Sequence, residues 1–214
     1  MRKTILASAA ALGVASLSVA ALNAQPAPRP GAINVEAIAG GTYTADPGHS
    51  MVMWHVSHLG FNDYYGIFGD VTGTLNLDKD NPNNSSVDVM IPIASVTVPS
   101  AGLKDHLLRA GADGAAPDFF GPNPAPAHFK STSVHHITGT KAEIMGDLTM
   151  NGQTHPVTIQ AEMSGMGTNG MNQKKTLGFH GTTTIDRTQF GVNFGTAFGI
   201  PAQVPLEITI AFEQ

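Results

Sequence analysis

The chain has no cysteine. That excludes disulfides, thiolate catalysis, cysteine-ligated zinc or iron–sulfur centres and a lipid-modified N-terminal cysteine. Charge is scarce too: Asp, Glu, Lys and Arg make up 13% of residues, about half the usual share. There are 16 acidic residues against 11 basic ones and no Lys/Arg cluster. The chain therefore lacks the electrostatic footprint of a nucleic-acid binder or of a protein drawn to an anionic surface. Gly-x-Ser-x-Gly, Walker-type and dinucleotide glycine fingerprints are absent. Paired carboxylates cannot be assigned, because residues such as Asp78, Asp80 and Asp113 sit at turns. Long helical patterns are missing beyond the N-terminus.

What remains is an apolar, turn-rich chain. Its 214 residues, 42% of them hydrophobic, allow one domain with a real core. Raised Gly (24) and Pro (14) favour many short strands over helices. Residues 1–24 read as a cleaved secretory signal peptide: Arg2 and Lys3, an apolar run to Leu22, then small residues ending at Ala24. Losing Arg2 and Lys3 with it leaves 16 acidic residues against two fewer basic ones, a net of −7. Export without cysteine suits a bacterial periplasm. Residues 25–41 (PAPRPG, then AIAGG) read as a mobile linker, and 42–214 as the folded domain.

The domain is organised around Ser50 to Leu59. Val52, Trp54, Val56 and His58 alternate with Met51, Met53, His55 and Ser57, so they fall on opposite faces of one strand. Gly60, Gly66 and Gly69 then punctuate the chain, as in a strongly curved barrel. Further strands are expected over Gly66–Asp78, Ser86–Val98 (with Pro92 marking an edge or bulge), His128–Thr138, Lys141–Met150, Thr154–Met163, Leu177–Arg187 and Val204–Glu213. Asn151-Gly152 is the strongest hairpin signal. Ser100 to Arg109 is the one good helix, with Ser100 as N-cap and Leu103, Leu107 and Leu108 on one face. About eight strands without a βαβ pattern predict an all-β, closed antiparallel barrel with one short helix. Such a barrel has room for one elongated ligand.

The order of motifs resembles the YceI-like family. The matching residues are Tyr43, Asp46, Pro47, His49 and Ser50, the alternating Val52, Trp54, Val56 and His58, and Gly60, Gly66 and Phe68. Pro117 to Phe120, Gly146 to Thr149, Gly152, Pro156-Val157 and Arg187-x-x-Phe190-Gly191 continue the match. The resemblance implies a bacterial periplasmic protein with a lipocalin-like barrel that binds isoprenoid lipids in a long apolar tunnel. Some relatives are dimers, so a homodimer is among the expectations. Relatives often carry Arg near the positions of Tyr65 and Ile67. Their absence here shifts the expected head group from an anionic diphosphate toward a quinone or neutral lipid. The loop before and after Pro117 to Phe120 is expected to be long and variable.

The expected ligand-binding residues are Trp54, Val56, His58, Phe61, Phe68, Phe119, Phe120, Phe129, Phe179, Arg187 and Phe190. His58 and Arg187 are the candidates for orienting a polar head; a structural hydrogen-bonding role at the rim is the alternative for Arg187. No His-x-His pair exists for a strand-borne metal site, although His49, His128, His155 or His180 could still meet in space; no metal and no cofactor are expected. The leading expectation is a non-enzymatic carrier of a polyisoprenoid, quinone or other long-chain lipid. The alternatives are a quinone- or lipid-linked enzyme acting at the barrel mouth through His58, and a structural, stress-protective domain with a filled barrel.

Overall fold

A computed structural model describes residues 29–214; the signal-peptide segment expected over 1–24 lies outside the described residues. The elements are β1 (Gly41–Ala45), β2 (Met51–His58), β3 (Asn62–Phe68), β4 (Thr72–Leu77), β5 (Ser86–Ile91), α1 (Ala101–Leu108), β6 (Ala127–Thr138), β7 (Lys141–Met150), β8 (Gln153–Thr168), β9 (Lys175–Asp186) and β10 (Gln203–Glu213). All strand pairs are antiparallel, in the order β1-β4-β5-β6-β7-β8-β9-β10. β1 also pairs with β10, which closes an eight-stranded ring. β2 and β3 extend it at one end: Thr44 opposes Thr74 in the β1–β4 pair, and Val52 opposes Phe68 in the β2–β3 pair. β1 and β2 are thus two halves of one long strand, and β3 and β4 two halves of its return.

This corrects the expected single strand over Gly66–Asp78. The returning strand starts earlier, at Asn62, and breaks at 69–71, where Asp70 takes a left-handed φ of 56°. The outgoing break has a clear cause. Asp46 N donates to Ala211 O (2.8 Å), and Ala211 N donates to the Ser50 hydroxyl (3.1 Å). Ala45 opposes Phe212 and Met51 opposes Thr209. Six steps along one strand therefore face three along the other, and the surplus loops out as Asp46-Pro47-Gly48-His49. The buried Ser50 side chain replaces a lost rung, as a buried hydroxyl requires. Asp46 holds the loop by accepting from Gly48 N (3.0 Å) and by pairing with His49 Nδ1 (2.6 Å).

The strand expected over Ser86–Val98 stops at Ile91. Pro92 cannot donate to a ladder, and a 3-10 turn follows at Ile93–Ser95. Beyond that point β3 has only an isolated bridge, Ile67 to Thr97, on its outer edge. The gap in the wall is covered by α1, capped by Ser100 Oγ accepting from Leu103 N (3.2 Å), and by Pro117 to Phe120, with Phe120 N bonded to Leu107 O (3.1 Å). This is the capped end of the barrel. Asn151 and Gly152 form the β7–β8 turn with φ of 50° and 73°, the left-handed pair that a tight hairpin needs.

At the opposite end the described part of the expected linker, residues 29–41, is docked on the barrel. Ala32 pairs with Met166 of β8, and Tyr43 OH donates to Ala39 O (2.7 Å). Nearby, the Glu213 carboxylate accepts from Lys174 Nζ (2.8 Å), Asn172 Nδ2 (2.8 Å) and Asn169 Nδ2 (3.5 Å), tying the β8–β9 turn to the last strand. The Lys174 hydrogen bond, followed by the Asn172 one, holds this carboxyl below its usual value of 4.5. A depressed folded value means the contribution is present above 4.5 and lost as pH falls through the lowered range. Replacing Glu213 by Gln should cost about 1–2 kcal/mol at neutral pH. The difference from wild type should shrink below pH 4.5, which urea unfolding across pH will show.

Candidate functional site

Alternation along each strand sends one set of side chains inward, and the inward set is apolar. Val52, Trp54 and Val56 of β2, Ile144 of β7, Val157 and Ile159 of β8 and Phe179 of β9 all point inward yet remain only half-buried. Side chains inside a closed wall keep accessible surface only if they border empty space. Two adjoining cavities account for it. The deeper one, about 180 Å³, lies within the eight-stranded ring among Leu75, Val89, Phe129, Ile144, Leu148 and Phe179. Thr183 is on its wall, but its hydroxyl donates to Thr158 O (2.7 Å) and is satisfied. An apolar void of this size and lining stays dry and takes apolar guests.

The second cavity, about 380 Å³, lies beneath the capped end. It shares Phe68, Met150, Ile185 and Leu206 with the first, so the two abut end to end. Its walls are Trp54, Val56, Leu103, Leu107, Phe119 and Phe120, with His58, Tyr64, His106 and Arg187 as polar members. Aromatic edges brace it: Phe120 meets Phe68 edge-on at 6.0 Å, and His106 meets Phe119 at 5.0 Å and Phe194 at 4.6 Å. Trp54 lies over Gly66, its cross-strand partner, where any Cβ would collide with the indole. The Trp54 Nε1–H is buried without a partner among the described residues.

The polar members differ in what they have left to offer. Tyr64 OH accepts from Ser100 N (3.0 Å), and His106 Nε2 pairs with Asp118 (2.7 Å). That hydrogen bond, with Arg109 at 3.3 Å, holds the Asp118 carboxyl below the usual range. His58 is exposed at the rim. Arg187 is buried, and its guanidinium donates to four carbonyls: Pro201 O (2.9 Å), Val192 O (2.8 Å), Phe194 O (2.8 Å) and Ile200 O (3.3 Å). Burial lowers its pKa. Of the two roles considered for Arg187, the geometry fits the structural one: it clamps the loop between Val192 and Pro201.

The sequence-expected residues thus divide. Trp54, Val56, His58, Phe119, Phe120 and Arg187 line the upper cavity, Phe129 and Phe179 the deeper one, and Phe68 both. Phe61 and Phe190 line neither. Phe61 is 84% exposed at the tip of the β2–β3 hairpin, because Gly60, with φ of 78°, turns the chain away from the strand. Phe190 is buried edge-on against His155 at 5.2 Å, in the 3-10 turn Arg187–Phe190 that ends at left-handed Gly191. His106 was missed, although it stands three residues after Leu103 and so shares its helical face. No Ser, Thr, Lys, Asp or Glu is among the described residues lining the upper cavity. Among the described residues no three His, Asp or Glu side chains gather to hold a metal.

The fold is an all-β, closed antiparallel barrel around an apolar hollow. The YceI-like domain family matches residues 43–212, and the chain belongs to that family. It is 36% identical over 166 residues to Protein YceI of Shigella flexneri, covering 77% of this chain and 81% of that one. Its fold is similar to that of Burkholderia cenocepacia BcnA (TM-score 0.62, 21% identity, 78% of this chain and 98% of that one). It is also similar to a polyisoprenoid binding domain from Saccharophagus degradans (TM-score 0.55, 11% identity, 80% and 97%).

The Arg187 clamp has a direct test. Arg187→Met should lower the stability of the lipid-free protein by about 2–4 kcal/mol, since four carbonyls lose their donors. Arg187→Lys should recover only part, because an ammonium cannot span four carbonyls at once. Urea unfolding without lipid reads this; a pure head-group role predicts no change.

Proposed function

We propose that the barrel binds an isoprenoid lipid, a prenylated quinone or a similar long-chain amphiphile, with its tail in the deeper cavity and its head beneath α1. The observation that carries this reading is the pair of abutting cavities, the ring's lined by apolar side chains save Thr183 and His180, the capped end's bearing His58, Tyr64, His106 and Arg187. A structural neighbour described as a polyisoprenoid binding domain supports it. Each buried CH₂ contributes about 0.8 kcal/mol, so a few isoprene units supply useful affinity without any charged contact. The polar members then need only orient the head. Tyr64, His58 and His106 suit a carbonyl or phenol, and the one guanidinium on the wall, Arg187, is spent on four backbone carbonyls, which favours a quinone or neutral head over a diphosphate.

The role is sequestration or transport rather than catalysis, since the hydroxyls on the walls, Thr183 and Tyr64, are engaged with the backbone of Thr158 and Ser100. The N-terminal 1–24 segment supports a periplasmic site of action. Native mass spectrometry of gently purified protein should show a bound lipid, or uptake of an added prenylated quinone. Protein that neither carries nor takes up such a lipid contradicts the proposal. Ile144→Trp projects added volume into the deeper cavity. It should weaken binding of long-tailed ligands about tenfold or more while sparing short-tailed ones; equal loss for both would remove the deeper cavity from the site.

A further inference from the structure

The two ends of the barrel differ sharply. Opposite the capped end, the turns are polar: Asp78-Lys79-Asp80-Asn81 before β5, and Asn172-Gln173-Lys174 before β9. At the capped end, residues 59–62 and the long loop 188–202 contain no charged residue, and charges there stand on α1 and the loop after it, at Lys104, Asp105, Arg109, Asp113 and Asp118. The register places both segments there, since Leu206 opposes Trp54 and Gln203 opposes Asp186.

The exposed aromatics follow the same division. The chain has 14 aromatic residues, and the four that are well exposed are Phe61 (84%), Phe198 (75%), Tyr65 (57%) and Phe194 (38%). All four belong to the β2–β3 hairpin or the 188–202 loop. Scattered single apolar residues on a surface need no explanation. Four aromatics gathered at one end, three of them on uncharged segments beside a lipid-sized cavity, do.

That loop is built to protrude. A 3-10 turn, Thr196–Phe198, is bracketed by left-handed Gly195 and Gly199, and Arg187 grips the carbonyls on either side of it. Phe194 is both exposed and part of the upper-cavity wall. The cavity therefore reaches the surface beside this loop.

We propose that the capped end is a bilayer-docking surface: Phe61 and Phe198 insert among lipid headgroups and hold the cavity mouth against the membrane during lipid exchange. Aromatic side chains suit the interfacial zone. Because these segments carry no Lys or Arg, the occupant is an uncharged, zwitterionic lipid surface and anionic lipid is not required. The inference rests on the lipid-carrier reading for its purpose, but its test is independent.

The test is flotation of the purified protein with vesicles of pure phosphatidylcholine, alongside vesicles containing phosphatidylglycerol. Wild type should float equally with both. Phe61→Ser combined with Phe198→Ser should reduce flotation about tenfold or more, with unchanged circular dichroism and unchanged lipid content by native mass spectrometry. Failure of wild type to float, flotation only with anionic vesicles, or undiminished flotation of the variant overturns the proposal. So does a wild-type dimer in light scattering that becomes monomeric in the variant, which would assign these residues to a second copy. Flotation by a protein that takes up no lipid would preserve the docking surface and remove the carrier reading instead.

Discussion

β10 is the strand through which the barrel closes. One edge runs along β9 from Gln203 to Glu213; the other pairs first with β2 and then, past the looped-out residues 46–49, with β1. Once the ring is closed, its backbone groups are satisfied within it and its width follows from strand number and tilt, whatever the side chains inside. Eight strands leave room either for a packed core or for one guest. Small inward residues contribute to the choice here: Ala127, Ala161 and Gly181 line the deeper cavity, and the ring encloses a hollow.

The closure is incomplete at one end, and the polar features depend on that. Pro92 ends β5 early, β3 is left without a full neighbour, and α1 with Phe119 and Phe120 covers the opening. The polar side chains near the interior gather where regular sheet gives way to loop and helix: Tyr64 against the helix N-terminus, His106 on the helix, Arg187 where β9 meets its turn. The gradient from a largely apolar ring to a polar cap is thus a product of where the sheet stops.

Much of this was legible in the chain. Alternation along Val52, Trp54 and Val56 identifies an inward face because a strand has a fixed period of two. The eight-ribbon, all-β barrel and its single helix followed from such patterns and the turn residues between them. The breaks did not. Gly41–Ala45 is too short and too near a glycine-rich stretch to show alternation. The start of β3 at Asn62 was hidden by polar residues that face outward. Whether Asp46 to His49 loops out depends on Ala211, far along the chain.

The candidate site was legible where it rests on strands and illegible where it rests on loops. Phe68, Phe129 and Phe179, expected from their apolarity and place on strands, stand on the cavity wall. Phe61 was grouped with them on apolarity, but one left-handed glycine sends it to the surface. Phe190 was grouped through the Arg-x-x-Phe-Gly motif; in a 3-10 turn that spacing buries the ring against His155 instead. Arg187 points inward as expected, yet its role depends on four carbonyls between Val192 and Pro201, which no local pattern announces. His106 shares the face of Leu103 and Leu107, and its polarity alone concealed it.

Everything functional here requires that the ring be hollow. Diffraction from crystals pressurised with xenon tests this most directly, since xenon enters dry apolar voids and is excluded from packed cores. Xenon bound between Phe129, Ile144 and Phe179 is the expected result. A lipid occupying the same volume, and so excluding xenon until it is stripped, would agree with it. A lipid-free barrel that admits no xenon, with those side chains in contact across the interior, would contradict it.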